Sequence, residues 1–384
     1  MKFFTAAAIT LLSLPAALTA APWTDAQMQE LAESSFAAVI EEYNVPGLVV
    51  GVTHRGQTYY YAAGLASRED NTAVSPDTLF ELGSVSKLFN VSLAALAEAR
   101  GDMDLNEQVS ERLPDLDGTA FGDLSLMDLA THNSGGLPLQ VPETVASSEG
   151  LVEWLADWQP SDTGSRSYSN ISIGLLGHIT ANVLSMGYAD TVEQDLFQEM
   201  GLQSTWVNVP EKSLERYAYG YDRKTDLPIR VNPGVLDAEA YGVKSSARDM
   251  VRFLELNIGH ADASDDLNAA LKRTRQGLAQ TDAYVQNMIW EQYPWPVSVE
   301  QMIKGNSYAY ILKPQPMETL DPPLPPQKNV ILNKTGATNG FGAYVALLPG
   351  EELGVAVLAN RNIPNEARIR ATYAFIQRVL ADQE

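Results

Sequence analysis

The chain contains no cysteine. Disulfides, thiol nucleophiles and thiolate metal sites are thereby excluded together. The absence leaves the compartment open, because oxidising compartments permit disulfides without requiring them. Histidine is also scarce, with His54, His132, His178 and His260 making up the whole complement of four. None stands in an H-x-H or H-E-x-x-H spacing, which argues against a zinc hydrolase. No metal and no other cofactor is expected. Basic residues are few, 26 Lys and Arg against 48 Asp and Glu, for a formal charge of −22. Such a chain repels polyanions, so neither nucleic acid nor an anionic lipid surface is an expected partner. G-x-S-x-G, a phosphate-binding loop and an internal repeat are all missing. After the N-terminal segment, no run is apolar enough to cross a bilayer.

That N-terminal segment, MKFFTAAAITLLSLPAALTAAPW, has one early base (Lys2), then an apolar run, then small residues. This is the pattern of a secretory leader. A cut after Ala20 leaves Ala21-Pro22 as the new terminus, and a cut after Ala21 fits nearly as well. An uncleaved anchor fits less well: the run is short for a span of ~20 residues, and Ser13 and Pro15 interrupt it. Residues 1–20 are therefore read as a signal peptide. Residues 21–384 are read as a single domain, exported to the periplasm and free of the membrane after cleavage. Losing Lys2 takes the formal charge from −22 to −23.

Apolar periodicity predicts a helix from Thr24 or Asp25 to Tyr43, with Leu31, Phe36, Val39, Ile40 and Tyr43 on one face. GLVVGVTHRGQTYYYAAGLA predicts two strands joined at Arg55-Gly56. A helical pattern follows from Ser84 to Arg100 and ends at Gly101. Residues 101–300 read as mainly helical with long polar loops, including a loop-like stretch from Val207 to Ala240. LDPPLPPQ (320–327) reads as a stiff, extended connector. Three strand candidates follow, NVILN, GAYVALLP and LGVAVLAN, and a last helix from about Pro364 to about Leu380. The expected fold is α/β with an α+β layout. One antiparallel sheet is built from both chain ends and flanked by the terminal helices, with a mainly helical region inserted beside it. The α/β part is expected at about 21–80 and 300–384, the helical part at about 81–299, and a site in the crevice between them.

Three short patterns carry chemistry. ELGSVSKLFN holds Ser84 and Lys87 one helical turn apart, on one face. A serine hydroxyl attacks only when something accepts its proton, and a lysine can do so if burial and nearby cations lower its pKa. The Ser84 amide, at a helix N-terminus, suits a developing oxyanion. RSYSNISIG holds Tyr168, a proton shuttle if cations surround it, and Asn170, which offers a donor and an acceptor or simply caps a helix. NKTGATNGFG holds Lys334, Thr335 and Gly336 at the end of a strand. Lys334 would bring a second cation, Gly336 would let a substrate lie along the backbone, and the Ala337 amide would be the second oxyanion donor. Each pattern alone reads equally as surface decoration, a capping turn or a hairpin lysine. Their order, S-x-x-K then Y-x-N then K-T-G, is far more specific than any one of them.

With these motifs the chain resembles a class C β-lactamase of the AmpC type, within the penicillin-recognising serine enzymes. The likeness extends over SGGLPLQVP (134–142), LDAEAYGVKS (236–245), KTGATNGFGAYVALLP (334–349) and LANRNIPNEAR (358–368). It implies the β-lactamase/transpeptidase-like fold, and hydrolysis of cephalosporins and penicillins through a serine acyl-enzyme, conferring β-lactam resistance. It implies a small-molecule substrate, a monomer, and a preference for cephalosporins.

Residue by residue, Ser84 is the nucleophile. Lys87 and Tyr168 share the proton transfers, with the base in acylation left open and Tyr168 favoured for the deacylating water. Gln140 and Asn170 bind the substrate's amide side chain. Lys334 and Thr335 support Tyr168 and face the substrate carboxylate, beside Gly336 and Ala337. Asn365 and Arg368 lie at the carboxylate end, Tyr241 lines the wall where the acyl side chain sits, and the loop 207–240 is the Ω-loop that shapes that pocket. One departure is visible: Asn339 stands where the resemblance leads one to expect glycine. His132 reads as a loop histidine and Asp237 with Glu239 as loop hydrogen-bonding groups. The rival readings are a D-alanyl-D-alanine peptidase or esterase of the same fold, and a sensor or peptidoglycan-binding protein that does not turn over.

Overall fold

The structure is a computed structural model and describes residues 22–381. The expected leader lies outside the described residues. Helix α1 (Asp25–Glu42) begins where its capping residues require. The Thr24 hydroxyl accepts the Gln27 amide proton while the Gln27 side chain accepts that of Thr24, a reciprocal capping box. Five further helices matter below: α2 (Ser86–Arg100), α3 (Asn170–Val183), α4 (Asp237–Tyr241), α5 (Ala247–Ile258) and α6 (Asn365–Ala381).

The principal sheet holds, in chain order, β1 (Gly47–His54), β2 (Gln57–Ser67), β3 (Thr72–Ala73), β4 (Gly277–Gln280), β5 (Val285–Gln286), β6 (Glu291–Pro294), β7 (Glu318–Leu324), β8 (Val330–Ala337), β9 (Gly342–Leu348) and β10 (Leu353–Ala359). In space they run β7-β4-β5-β6-β8-β9-β10-β1-β2-β3, with antiparallel pairing throughout. The β1–β2 turn lies at Arg55 (φ 50°) and Gly56 (φ 76°), two left-handed residues whose twist suits a tight hairpin. The chain ends meet between β1 and β10, where Leu48 pairs with Ala359 and His54 with Leu353.

Strand alternation divides the core in two. Leu48, Val50 and Val52 face α1 and α6, meeting Phe36, Phe375 and Ile376. Val49, Val345, Ala356 and Leu358 face the helical region, with Leu88, Phe89, Phe253 and Leu254. Both faces of β1, β9 and β10 are covered, so these strands read as continuous apolar runs instead of alternating ones.

Two sequence expectations need correction. Residues 318–324 are not a free connector, since they form edge strand β7 on β4 with an irregular register. Proline lacks an N–H, but an edge strand pairs on one side only, so Pro322 and Pro323 are tolerated there. The sheet also begins near residue 277, earlier than the expected boundary at 300, because β4, β5 and β6 belong to it. These strands are two to four residues long, too short for alternation to show.

Asn360, fully buried just after β10, holds the junction of the chain ends together. Its Oδ1 accepts from the Gly47 amide at 2.6 Å, and its Nδ2 donates to the carbonyls of Leu65 (2.9 Å) and Tyr219 (3.0 Å). Asn360→Ala would leave these backbone groups unpaired in the interior. The expected loss is about 2–4 kcal/mol of unfolding free energy, read from urea denaturation of purified protein. A loss below about 0.5 kcal/mol would show that the brace is dispensable.

Candidate active site

Ser84 lies in a single 3-10 turn, Gly83–Val85, that leads directly into α2. The helix stops at Gly101, whose φ of 81° is the left-handed cap glycine supplies most easily. Helical spacing sets Lys87 over the serine. Its Nζ donates to Ser84 Oγ at 3.0 Å and to the Ala240 carbonyl in α4 at 2.7 Å. Lys87 is fully buried. Burial, helped by the charge of Lys334, brings its pKa down to about 8, even though Tyr168 pulls the other way.

Tyr168 stands just before α3, whose first turn is capped by Ser169. The Nζ atoms of Lys87 and Lys334 lie 5.2 and 5.3 Å from its ring centre. Burial pushes the phenol up, but Lys334, Lys87 and hydrogen bonding with Ser84 and Lys87 outweigh it and bring Tyr168 down to about 8. Lys87 and Tyr168 are thus brought to the same range beside one another, an arrangement in which a proton can pass between them at little cost.

The third pattern lies on β8. Lys334 Nζ donates to the Thr335 carbonyl at 3.0 Å and sits 3.7 Å from Glu291. Gly336 packs its backbone against the serine turn, where an added methyl would overlap the Leu82 carbonyl and crowd the Ser84 amide. Gly83 (φ 52°) is its counterpart, set against the Ala337 backbone. The segments that carry the Ser84 and Ala337 amides are thereby pressed together at one spot.

A cavity of about 430 Å³ opens over this spot. Ser84, Tyr168, Gln140, Asn170, Tyr241, Thr335, Gly336, Ala337 and Asn365 all line it. Asn170 Nδ2 donates to Gln140 Oε1 at 3.0 Å, which fixes both amides. Asn339 is exposed at the tip of the β8–β9 hairpin and also lines the cavity, next to Arg230 and Asn232 from the 207–240 loop. Asn365 reaches the cavity, but its Nδ2 already donates to Asn306 O at 2.9 Å.

Arg368 is a correction: it does not face the cavity. It is 1% exposed and donates to the Gly336 and Ala343 carbonyls and to Asn365 Oδ1. Its place on α6, behind the sheet, makes it a brace for β8 and β9. His132 stands, as read, in the turn that ends the helix Leu126–Thr131, and is buried against Tyr168 with ring centres 4.5 Å apart. Burial and the cations Arg166, Lys87 and Lys334 hold its pKa well below the usual histidine range, so the ring is neutral.

Sequence reading missed Glu81, Arg166 and Glu291. Glu81 accepts from Tyr217 Oη (2.6 Å), Val231 N (2.7 Å) and Thr338 Oγ1 (2.6 Å), tying the serine turn to the loop and the hairpin. Its partners lie more than a hundred residues away in the chain, so no local signal marks it. Among the described residues, no group of three or more His, Cys, Asp or Glu is arranged to hold a metal ion.

A family model described as Beta-lactamase matches residues 26–378. The chain is 38% identical over 356 residues to a beta-lactamase of Psychrobacter immobilis, covering 92% of this chain and 88% of that one. A solved beta-lactamase from Sulfitobacter sp. EE-36 is similar with a TM-score of 0.93 and 60% identity, covering 94% of this chain and 100% of that one. A class C beta lactamase from Rhodobacter sphaeroides is similar with a TM-score of 0.90 and 58% identity, covering 91% and 99%.

Because Lys334 leads the groups that lower the Tyr168 pKa, Lys334→Ala should move the phenol's titration upward. The expected rise is about one pH unit or more, read by NMR of protein labelled at tyrosine Cζ. An unmoved midpoint in a folded variant would show that Lys334 is not what holds Tyr168 down.

Proposed function

We propose how this chain, which belongs to the beta-lactamase family as a class C serine enzyme, uses these residues. Its activity is hydrolysis of the β-lactam amide bond through a serine acyl-enzyme. In our reading Ser84 Oγ attacks the lactam carbonyl carbon. The hydroxyl proton enters the Lys87–Tyr168 pair, and the carbonyl oxygen, now an oxyanion, rests on the amides of Ser84 and Ala337. The C–N bond breaks, the ring nitrogen takes the proton from the pair, and an acyl-enzyme remains. Water then attacks the ester carbonyl, Tyr168 takes its proton, and Ser84 leaves as the alcohol.

The observation that carries this reading is the 3.0 Å contact between Lys87 Nζ and Ser84 Oγ, with Lys87 held near 8 by burial. At that pKa, about one lysine in ten is neutral near pH 7, so the pair holds a base within reach of the nucleophile. Gln140 and Asn170 would hold the substrate's amide side chain, and Tyr241 its wall. Lys334 and Thr335 would hold the substrate carboxylate, with Asn365 at that end. The preference for cephalosporins, the cleaved leader, the periplasmic location and the monomeric state belong to the same proposal. No helix among the described residues is long and apolar enough to cross a membrane. The acidic charge, −22 over the whole chain, has two readings, simple solubility and tolerance of high salt.

Ser84→Ala should leave the fold intact and cut turnover of a chromogenic cephalosporin by a factor on the order of 10⁵ or more, with no covalent penicillin adduct by mass spectrometry. An adduct on the folded variant would move the nucleophile elsewhere. In the unaltered chain, sustained turnover is expected. A burst followed by a stall would indicate a peptidase that releases its acyl group slowly, and no reaction at all a binding protein.

The charge makes a separate forecast. At about 1 M salt the screening length falls to ~3 Å, which removes most repulsion among surface carboxylates. The melting temperature and retained activity are expected to rise or hold from about 0.1 M to about 2 M NaCl. Precipitation or a falling melting temperature would reject salt adaptation and leave the chemistry untouched.

A further inference from the structure

Behind the cavity lies a buried charged layer that the reaction as written does not use. Glu291, on β6, has no exposed surface. It sits 3.7 Å from Lys334 Nζ on the neighbouring strand β8 and 3.7 Å from an Arg166 guanidinium nitrogen. Arg166 comes from the short strand pair of Ser165–Arg166 with Gln315–Pro316. Its Nε donates to Gln286 Oε1 at 2.7 Å, and its guanidinium carbon lies 5.2 Å from the Tyr168 ring centre and 5.6 Å from that of Tyr284.

Three cations, Lys87, Lys334 and Arg166, therefore stand about 5 Å from the Tyr168 ring centre, and one carboxylate is wedged between two of them. The other titratable groups turned toward this layer are neutral ones. His132 lies against Tyr168, and the phenols of Tyr284, Tyr293, Tyr310 and Tyr344 are pushed up by burial. Glu291 is thus the carboxyl group set among these cations: burial pushes its pKa up, and Lys334 and Arg166 pull it back toward the charged form.

We propose that Glu291 is a positioning residue for proton transfer: by sharing its carboxylate between Lys334 and Arg166, it holds both cations about Tyr168 and sets how much of their positive field reaches the phenol. The direct ion pairs are structural, but the field is functional. An uncompensated pair of buried cations would make Tyr168 a stronger acid and so a weaker base toward the deacylating water. The inference rests on the reading of Tyr168 as the proton-transfer group.

Charge and shape are separable by substitution. Glu291→Gln keeps the shape and removes the negative charge, Glu291→Asp keeps the charge, and Arg166→Gln removes the opposing positive charge. The Tyr168 titration midpoint is read in the free, folded protein by NMR of tyrosine Cζ, where turnover plays no part. It is expected to fall by about half a pH unit or more in Glu291→Gln and to rise by a similar amount in Arg166→Gln. It should return toward its starting value in the double variant and stay near it in Glu291→Asp. The acidic limb of kcat against pH, for a cephalosporin whose turnover is limited by deacylation, should move in the same directions. A midpoint unchanged or raised in folded Glu291→Gln would overturn the proposal and reduce Glu291 to a packing role. If that variant does not fold, Arg166→Gln decides: an unchanged or lowered midpoint overturns the proposal as well. Tyr168→Phe separates the two levels, since full turnover in that variant would reject the role of Tyr168 in catalysis without altering the titration comparison.

Discussion

The site depends on one close approach: the backbone of β8 at Gly336 pressed against the turn that carries Ser84. Neither side of that contact tolerates a Cβ, since Gly336 meets the Leu82 carbonyl and Gly83 meets the Ala337 backbone. The contact joins a strand near the end of the chain to a helix near its beginning. It brings together the segments that carry the Ser84 and Ala337 amides, the pair proposed as oxyanion donors, and fixed dipoles of that kind stabilise a developing oxyanion without reorganising during the reaction. The supports around it answer to this need. Arg368 holds the Gly336 and Ala343 carbonyls from behind, Glu81 ties the turn to the hairpin and the long loop, and Asn360 joins the chain ends.

Burial then turns ordinary residue types into reactive ones. A lysine in water is almost wholly protonated near neutral pH and a tyrosine almost wholly neutral. Removing Lys87 from water and placing Lys334 near it lowers the lysine, while the two ammonium groups lower the phenol. Both come to about 8, so a proton can move either way between them without a large uphill step. Burial, with Arg166 and the same two ammonium groups, keeps His132 neutral, so that it adds no further charge.

Glu291 and Arg166 extend the argument one layer inward. A buried ion pair is a poor source of stability, because the desolvation of both ions offsets most of their attraction. Its presence under the reactive tyrosine is better explained by the field it shapes than by the energy it contributes. Three positive groups crowd one ring, and a single carboxylate decides how many of them are felt.

Much of this was legible along the chain. Apolar periodicity, Thr24, Arg55-Gly56 and Gly101 marked helices and turns because helix periods, caps and left-handed residues are local physics. The lysine three residues after a serine was enough to place Nζ over Oγ, since one helical turn sets that distance. The edge strand at 318–324 was masked by its prolines, and the strands between 277 and 294 were too short to show a period. Arg368 could be read as a ligand for substrate only until the fold put it behind the sheet. Sequence alone determined the residue types in the motifs, the order of the motifs and the elements that carry them. Tertiary structure decided which backbone amides meet at Ser84, which charges lie buried around Tyr168, and that Glu81, Glu291 and Arg166 matter at all. The reason is physical: burial and electrostatic coupling depend on distances in space between groups a hundred or more residues apart, and no local spacing encodes them.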